Sequence, residues 1–234
     1  MSQNRDRWQL LDATLPLLTY EYSFGPGLAN TLAVGVDGGL VLVSPPCNAP
    51  ASAFDELAAY GPVRALVASN AYHHMGLKEW HARFPDAVIA APAQSVARVK
   101  KQTGIDRIVA LADAPVLQDP RVEFIDMPHY KTGEVFVRAK SGAKSYWYVT
   151  DVVMNMPRLP KNPLFGLMFK LSDTGPGLKF NNIAALFMMK DKASVKSWLA
   201  SEVRKAPPTT LIPCHGPSIE MDATASQLLA LVSP

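Results

Sequence analysis

Apolar residues over 17–24 and 30–36 either alternate with polar ones or run without a break, and each stretch is short enough to be a strand. Asp37-Gly38-Gly39 follows the second stretch and supplies the left-handed backbone of a tight hairpin, with 40–43 as the returning strand. Pro45, Pro46 and Pro50 end that strand. Residues 51–60 then have helical composition and stop at Gly61-Pro62. From here the period changes: 63–68 and 87–91 read as buried strands, and 75–84 and 93–101 as helices between and after them. Three more strands are predicted at 121–127, 134–139 and 145–149, the last two joined by a turn at Ser141-Gly142-Ala143-Lys144, so a second sheet is implied. A helix at 195–205, a short strand at 209–212 and a closing helix at 222–231 complete the series. Strands mixed with helices in both halves suit two sheets packed face to face with helices outside, although the periodicity alone equally describes another layered α/β fold.

Residues 154–190 depart from this rhythm. Pro157, Pro160, Pro163 and Pro176 interrupt a stretch that is otherwise rich in Leu, Met and Phe, which is too apolar for a linker. We expect it to pack as a cap over the domain, with the Phe165 to Phe169 set as cap core; a membrane-surface or dimer contact is the alternative.

Composition narrows the class without changing that outline. A chain of 234 residues, 48% hydrophobic and 18% charged, is long enough for one sizeable core, so a single domain over 1–234 is expected. The formal charge of +3 is small and the basic residues are scattered, which excludes the electrostatic footprint of a nucleic-acid binder. Cys47 and Cys214 are too few for a disulfide scaffold and form no CxxC motif, which fits a reducing compartment. No secretory leader is read at residues 1–10. No apolar run reaches the roughly 18 residues that span a bilayer. The expectation is a soluble, cytoplasmic protein without a transmembrane segment, with a small-molecule substrate or ligand as partner and room for a homodimer.

The chemistry concentrates at Ser69-Asn70-Ala71-Tyr72-His73-His74-Met75-Gly76, a loop between a buried strand and a helix. Three later segments share its residue types: Pro128-His129-Tyr130, Tyr148-Val149-Thr150-Asp151, and Pro213-Cys214-His215-Gly216. Taken alone, His73 and His74 would be ordinary loop histidines, and Asp151 a turn or helix-cap aspartate. Taken together in this order, the four segments resemble the metallo-β-lactamase superfamily. His73 through Ala87 resembles more closely a divergent branch of it, in which an Asn-x-x-His-His segment is followed by Trp and Phe-Pro.

The resemblance implies an α/β (α+β) fold, a four-layer αββα sandwich of two mixed sheets flanked by helices. Aligned on Gly76, Ser69 and Ala71 stand where the superfamily has its two early histidines, and Tyr130 where it has the histidine after the second-sheet strand. All three ligands of the first metal are thereby lost. His73, His74, Asp151 and His215 stand at the second metal's positions and all can bind, so the resemblance implies one divalent metal. Imidazole-rich ligation favours zinc, with iron or manganese as alternatives. Consecutive side chains of a strand would point apart, but a loop at a helix start need not obey that rule. A divalent ion beside one carboxylate lowers the pKa of bound water, to about 7 for zinc, and Tyr130 is the candidate for polarising the substrate oxygen. The implied function is a metal-dependent hydrolase acting on a small, partly apolar substrate. A non-catalytic binding protein and an iron-binding oxidoreductase are the alternatives on the same fold. His129 is read as an extra ligand or a structural histidine, His81 as surface, and Cys47 and Cys214 as small buried thiols outside the metal shell.

Overall fold

Among the described residues, the N-terminal half of the chain lays down a seven-stranded sheet in the order of the sequence. Its strands are β1 (Gln9–Asp12), β2 (Leu17–Ser23), β3 (Leu28–Val36), β4 (Gly39–Val43), β5 (Val63–Val67), β6 (Val88–Ala91) and β7 (Ile108–Ala110). Neighbours pair antiparallel from β1 to β4 and parallel from β4 to β7. Parallel neighbours need a crossover, and α1 (Ala51–Leu57), α2 (Leu77–Arg83) and α3 (Val96–Thr103) lie in the three crossovers. Next come β8 (Val122–Asp126), β9 (Val135–Ser141) and β10 (Lys144–Val149), then a separate ribbon of β11 (Val153–Met156) and β12 (Gly177–Phe180). β13 (Thr210–Pro213) and β14 (Ile219–Glu220) complete a second, five-stranded sheet ordered β14-β13-β10-β9-β8, in which β13 runs parallel to β10. The computed structural model describes residues 7–25, 27–223 and 225–232. Most of the stretch in which no leader is read, residues 1–6, lies outside them.

Strand alternation sorts the apolar side chains into layers. Leu32, Val34, Val41, Val43 and Val67 point from the first sheet toward Val135, Val137, Tyr146, Tyr148 and Ile212 of the second, forming the central core. The intervening Leu40, Leu42 and Leu66 face the other way and pack under the crossover helices with Leu57, Leu77 and Val99. Phe136, Trp147 and Leu211 do the same on the outer face of the second sheet. They meet α5 (Asn182–Met188), α6 (Lys192–Lys205) and α7 (Ser226–Val232) through Ala185, Leu199 and Leu228. The result is the αββα sandwich. Its central strands are apolar on both faces, which is why their sequences run on instead of alternating.

The Pro-rich stretch 154–190 holds more regular structure than its composition suggests. It contains most of the β11–β12 ribbon, α4 (Pro163–Leu171) and α5. Pro163 is not a breaker: it occupies the first turn of α4, where a missing N–H costs nothing, and the Asn162 side chain caps it by accepting from Leu164 N and Phe165 N. Asn181 caps α5 in the same way. The expectation that Phe165 to Phe169 form cap core is corrected. Phe165, Leu167 and Met168 are exposed and Phe169 is only half-buried, because the residue that α4 turns to its neighbour is Gly166. A Cβ at Gly166 would lie 3.0 Å from the Pro160 carbonyl oxygen. α5, by contrast, turns Ala184, Ala185 and Met188 onto the second sheet. Among the described residues no helix is long and apolar enough to cross a membrane.

Trp80 of α2 links the outer layer to the loop that ends β4. It is fully buried, lies against Phe54 and Phe84, and donates its indole N–H to the Pro46 carbonyl at 2.8 Å. We expect Trp80→Ala to cost about 3–5 kcal/mol, a fall in Tm on the order of 10 °C by circular dichroism. Trp80→Phe, which keeps most of the packing, should cost about 1 kcal/mol.

Candidate metal centre

β5, β10 and β13 all deliver a loop to one end of the sandwich, because β13 is parallel to β10 and the two sheets face each other there. The loop after β5 is shaped by Asn70, which is fully buried. Its amide nitrogen donates to Asp151 Oδ2 at 2.7 Å and to Glu134 Oε2 at 3.0 Å, and its carbonyl oxygen accepts from the backbone N–H groups of Tyr72 and His73. Such an Asx turn replaces the missing backbone ladder. Ala71 N donates to Thr132 O and Val135 N to Ser69 O, which laces the loop to the second sheet. Asp151 N donates to Glu134 Oε1, so both carboxylates belong to one network.

Close approach governs the two glycines of the site. A Cβ on Gly76 would lie 2.2 Å from the Pro45 carbonyl oxygen. Gly216 combines a φ of +108° with a Cβ position 1.7 Å from Asn155 O, so no other residue follows His215 without moving the chain.

Three of the four sequence-predicted ligands meet here. His73 Nε2 lies 3.4 Å from Asp151 Oδ2, and His215 Nε2 lies 3.0 Å from Asp151 Oδ1. His74 does not join them. It is half-buried, and burial together with the positive charge of Arg98 pulls its pKa down. Cys214, read from the sequence as a small buried thiol near the site but outside the metal shell, stands in the cluster: its Sγ is 3.7 Å from His73 Nδ1, and His73, Cys214 and His215 offer donor atoms within 4.8 Å of one another. Three side chains able to bind a metal therefore share one small volume, with Asp151 against both imidazoles.

Other predicted residues fall elsewhere. Tyr130 is 1% exposed in the outer core, does not line the cleft described below, and leaves its hydroxyl without a hydrogen-bond partner. His129 has φ +65° and its carbonyl accepts from Lys190 N, and Cys47 Sγ reaches Ser23 O. Neither joins the cluster. Ser69 Oγ lies 2.6 Å from Ser44 Oγ, which also accepts from the Tyr148 hydroxyl, and Ala71 is buried. Hydroxyls and a methyl group thus stand where the resemblance places ligands of the first metal. Asn70 entered the sequence reading only as the first residue of the Asn-x-x-His-His segment, without a role, and Glu134 did not enter it; the available signal was an Asn two residues before a turn.

Hydrogen bonding at His215 defines its protonation. Nδ1 lies 2.8 Å from the Leu28 carbonyl, which can only accept, so Nδ1 carries a proton. In the neutral ring Nε2 then holds a lone pair, and it faces a carboxylate oxygen. Two acceptors facing each other in a buried site require a cation between them, either a proton or a metal ion. As a proton site, the cluster is polarised throughout. Burial works against ionisation of His215, but the neighbouring Cys214 and Asp151 outweigh it and push its pKa up to about 8. His73 is raised well above its usual value by the same partners against the same burial, and the two imidazoles hold Asp151 well below the carboxylate range. Burial pushes the Cys214 thiol up, yet His73 and His215 bring it below its ordinary value. Glu134, fully buried next to the Asp151 charge, is raised well above the carboxylate range.

His73, Asp151 and His215 line a cleft of about 510 Å³. Its other walls are largely apolar, with Phe24, Met75, Ile183 and Phe187 among them.

No protein-family model matches this sequence, and no curated protein matches it. Solved structures do match its fold. A metallo-β-lactamase from Pontibacter korlensis superposes with a TM-score of 0.59 at 14% identity, over 96% of this chain and 97% of that one. The metallo-β-lactamase FIM-1 from Pseudomonas aeruginosa in its mono-zinc form gives 0.57 at 15%, over 97% and 96%. A mutant flavo di-iron protein from Thermotoga maritima gives 0.61 at 11%, over 96% of this chain and 60% of the larger one. The chain has the metallo-β-lactamase fold.

In the metal-free protein, His215 has a folded pKa of about 8 against 6.5 unperturbed. A raised value stabilises the fold by about 2 kcal/mol below pH ~6.5, and this is lost as the pH rises through about 8. We expect an NMR titration of the His215 ring to give that midpoint, and Asp151→Asn to move it down toward the unperturbed value.

Proposed function

We propose that this chain is a metal-dependent hydrolase with a single metal ion held by His73, Asp151 and His215, with Cys214 behind the His73 ring. The observation that carries this reading is the convergence of His215 Nε2 and Asp151 Oδ1, 3.0 Å apart while His215 Nδ1 is committed to Leu28 O, an arrangement in which a metal ion can replace the proton that the metal-free site holds. Nitrogen and oxygen atoms that bind one zinc ion are separated by about this much, since each lies about 2.0–2.2 Å from the metal. Cys214 Sγ lies 3.7 Å from His73 Nδ1, the ring nitrogen opposite the Nε2 that faces Asp151, so it orients that ring from behind. The donor set therefore fits the group that the fold implies. A mixed imidazole and carboxylate set favours zinc, with iron or manganese as alternatives.

A divalent ion bound there would supply Lewis acidity and a nucleophile drawn from water near neutral pH. The chain's own residues do the rest. Leu28 O fixes the tautomer of His215, as an outer partner of a metal-binding histidine commonly does. Asn70 holds the His73 backbone and one oxygen of Asp151 in the same grip, so the two ligands cannot drift apart independently. The apolar cleft walls exclude water and select a small, partly apolar substrate with an ester, thioester, amide or phosphoester bond. Tyr130 takes no part in substrate contact in this reading. Glu134, whose pKa burial and the neighbouring Asp151 push up, positions Asp151 by accepting its backbone N–H.

The test is elemental analysis of protein purified without a metal-affinity column. We expect about one equivalent of metal in the wild type, as for a single closed or three-ligand site. His73→Ala and His215→Ala should lose it, and His74→Ala should retain it. A cobalt-substituted sample should lack a thiolate charge-transfer band, since Cys214 faces the far nitrogen of His73; a band that Cys214→Ser removes would add the thiol to the ligands. Loss of metal in His74→Ala would restore His74 as the fourth ligand. A wild type that stays metal-free after reconstitution would leave a binding protein built on the fold. Iron with a redox-active signal would favour an oxidoreductase, the reading to which the likeness in fold to a flavo di-iron protein lends support.

A further inference from the structure

α4 carries its apolar residues on the wrong side for a cap. Leu164, Leu167, Met168 and Leu171 recur at the spacing of a single helical face, the spacing that in a surface helix marks the side turned to the core. Here that face is turned outward: Leu164 is 74% exposed, Leu167 53% and Leu171 78%. The helix is not frayed, since Asn162 caps its start and the side chain of Asn182 holds its end through the carbonyls of Ser172 and Asp173. Asn182 opens α5, so the two helices are tied end to start. α5 in turn exposes Leu186 and Phe187, and Phe187 also lines the cleft of the candidate centre. Five large apolar side chains on nine residues are more than a scatter of surface leucines, and such faces mark sites of association.

Charge selects the occupant. Residues 157–196 contain seven Lys or Arg and two Asp, a formal +5, whereas the whole chain carries +3 and the remainder therefore −2. Both acidic groups are engaged locally, Asp173 with Lys179 at 2.6 Å and Asp191 as the cap of α6. Lys161 and Lys170, both exposed, bracket α4. A second copy would meet this face through a two-fold contact that brings the same basic rim against itself. An anionic lipid surface satisfies both features, accepting the leucines among acyl chains and the lysines among headgroups. We infer that the α4–α5 face docks this protein onto anionic membranes, with the mouth of the cleft beside the bilayer. Docking of this kind does not depend on the metal.

The experiment is flotation of the full chain with vesicles of phosphatidylcholine alone and of phosphatidylcholine with phosphatidylserine, beside light-scattering measurement of oligomeric state. The wild type should float with the anionic vesicles and bind the neutral ones at least roughly tenfold more weakly, since apolar insertion and charge act together. Raising salt from about 0.1 M to about 1 M, which shortens the screening length from about 10 Å to about 3 Å, should release it. Leu167→Glu with Leu171→Glu should abolish flotation without lowering Tm, because both positions are exposed, and Lys161→Glu with Lys170→Glu should weaken it. Absence of flotation on anionic vesicles overturns the inference, as does flotation that neither pair of substitutions changes. A concentration-dependent dimer that the leucine pair disrupts, in place of flotation, assigns the face to a second copy instead.

Discussion

The side-chain amide of Asn70 is the joint on which the candidate centre depends. It sits where a strand of one sheet gives way to a helix, and it must satisfy two buried carboxylates from the other sheet together with two backbone N–H groups of its own loop. An aspartate there would set a further carboxylate against Glu134 and Asp151 and donate to neither, and an aliphatic residue would leave both short of a donor, at a cost of about 1–3 kcal/mol for each unsatisfied group. An amide makes two donations and still accepts, where a hydroxyl has one proton to give. The direction of His73, and hence the proximity of the two imidazoles to Asp151, follows from that turn.

Around this joint, burial and charge are balanced locally. Burial alone would neutralise every ionisable group in the cluster, yet Asp151 stays ionised because both histidines face it, and Cys214 is drawn toward the thiolate by the same rings. Glu134 goes the other way, since its nearest charge is Asp151 and no cation offsets its burial as directly. Where the resemblance would put a ligand of another metal, Ser69 instead bonds to Ser44, which also accepts from the Tyr148 hydroxyl. One part of the site has thus become an ordinary polar core while the other keeps a set of donors that need a cation.

The segment over the cleft shows how prolines can mislead. Pro163 and the asparagines at 162 and 181 begin helices instead of interrupting them, and the signals were present as caps rather than as periodicity. What no local signal could supply was the orientation of α4. A helix whose residues are apolar nearly all round reads as buried, but here its contact with the protein is made through Gly166, leaving the leucines to solvent.

The sequence by itself determined most of the strands and helices, because strands buried on both faces must be runs of Val, Leu and Ala, and the helices between them end at Gly and Pro; their arrangement in two facing sheets came from the resemblance. It also determined that His73, Asp151 and His215 follow strands, and so belong at the ends of a layered sheet. Short elements such as β1, β7 and β14 escaped it, since two to four residues carry no period. Only the tertiary structure decided which donors meet. His73 and His74 are indistinguishable as neighbours in a chain, and the turn at Asn70 sends one inward and leaves the other out. Cys214 and Cys47 look alike as buried thiols, and the parallel pairing of β13 with β10 brings only Cys214 against an imidazole. Ligand sets are relations across sheets, set by register and by close backbone approach, and these are properties that a residue's own neighbourhood in the sequence does not contain.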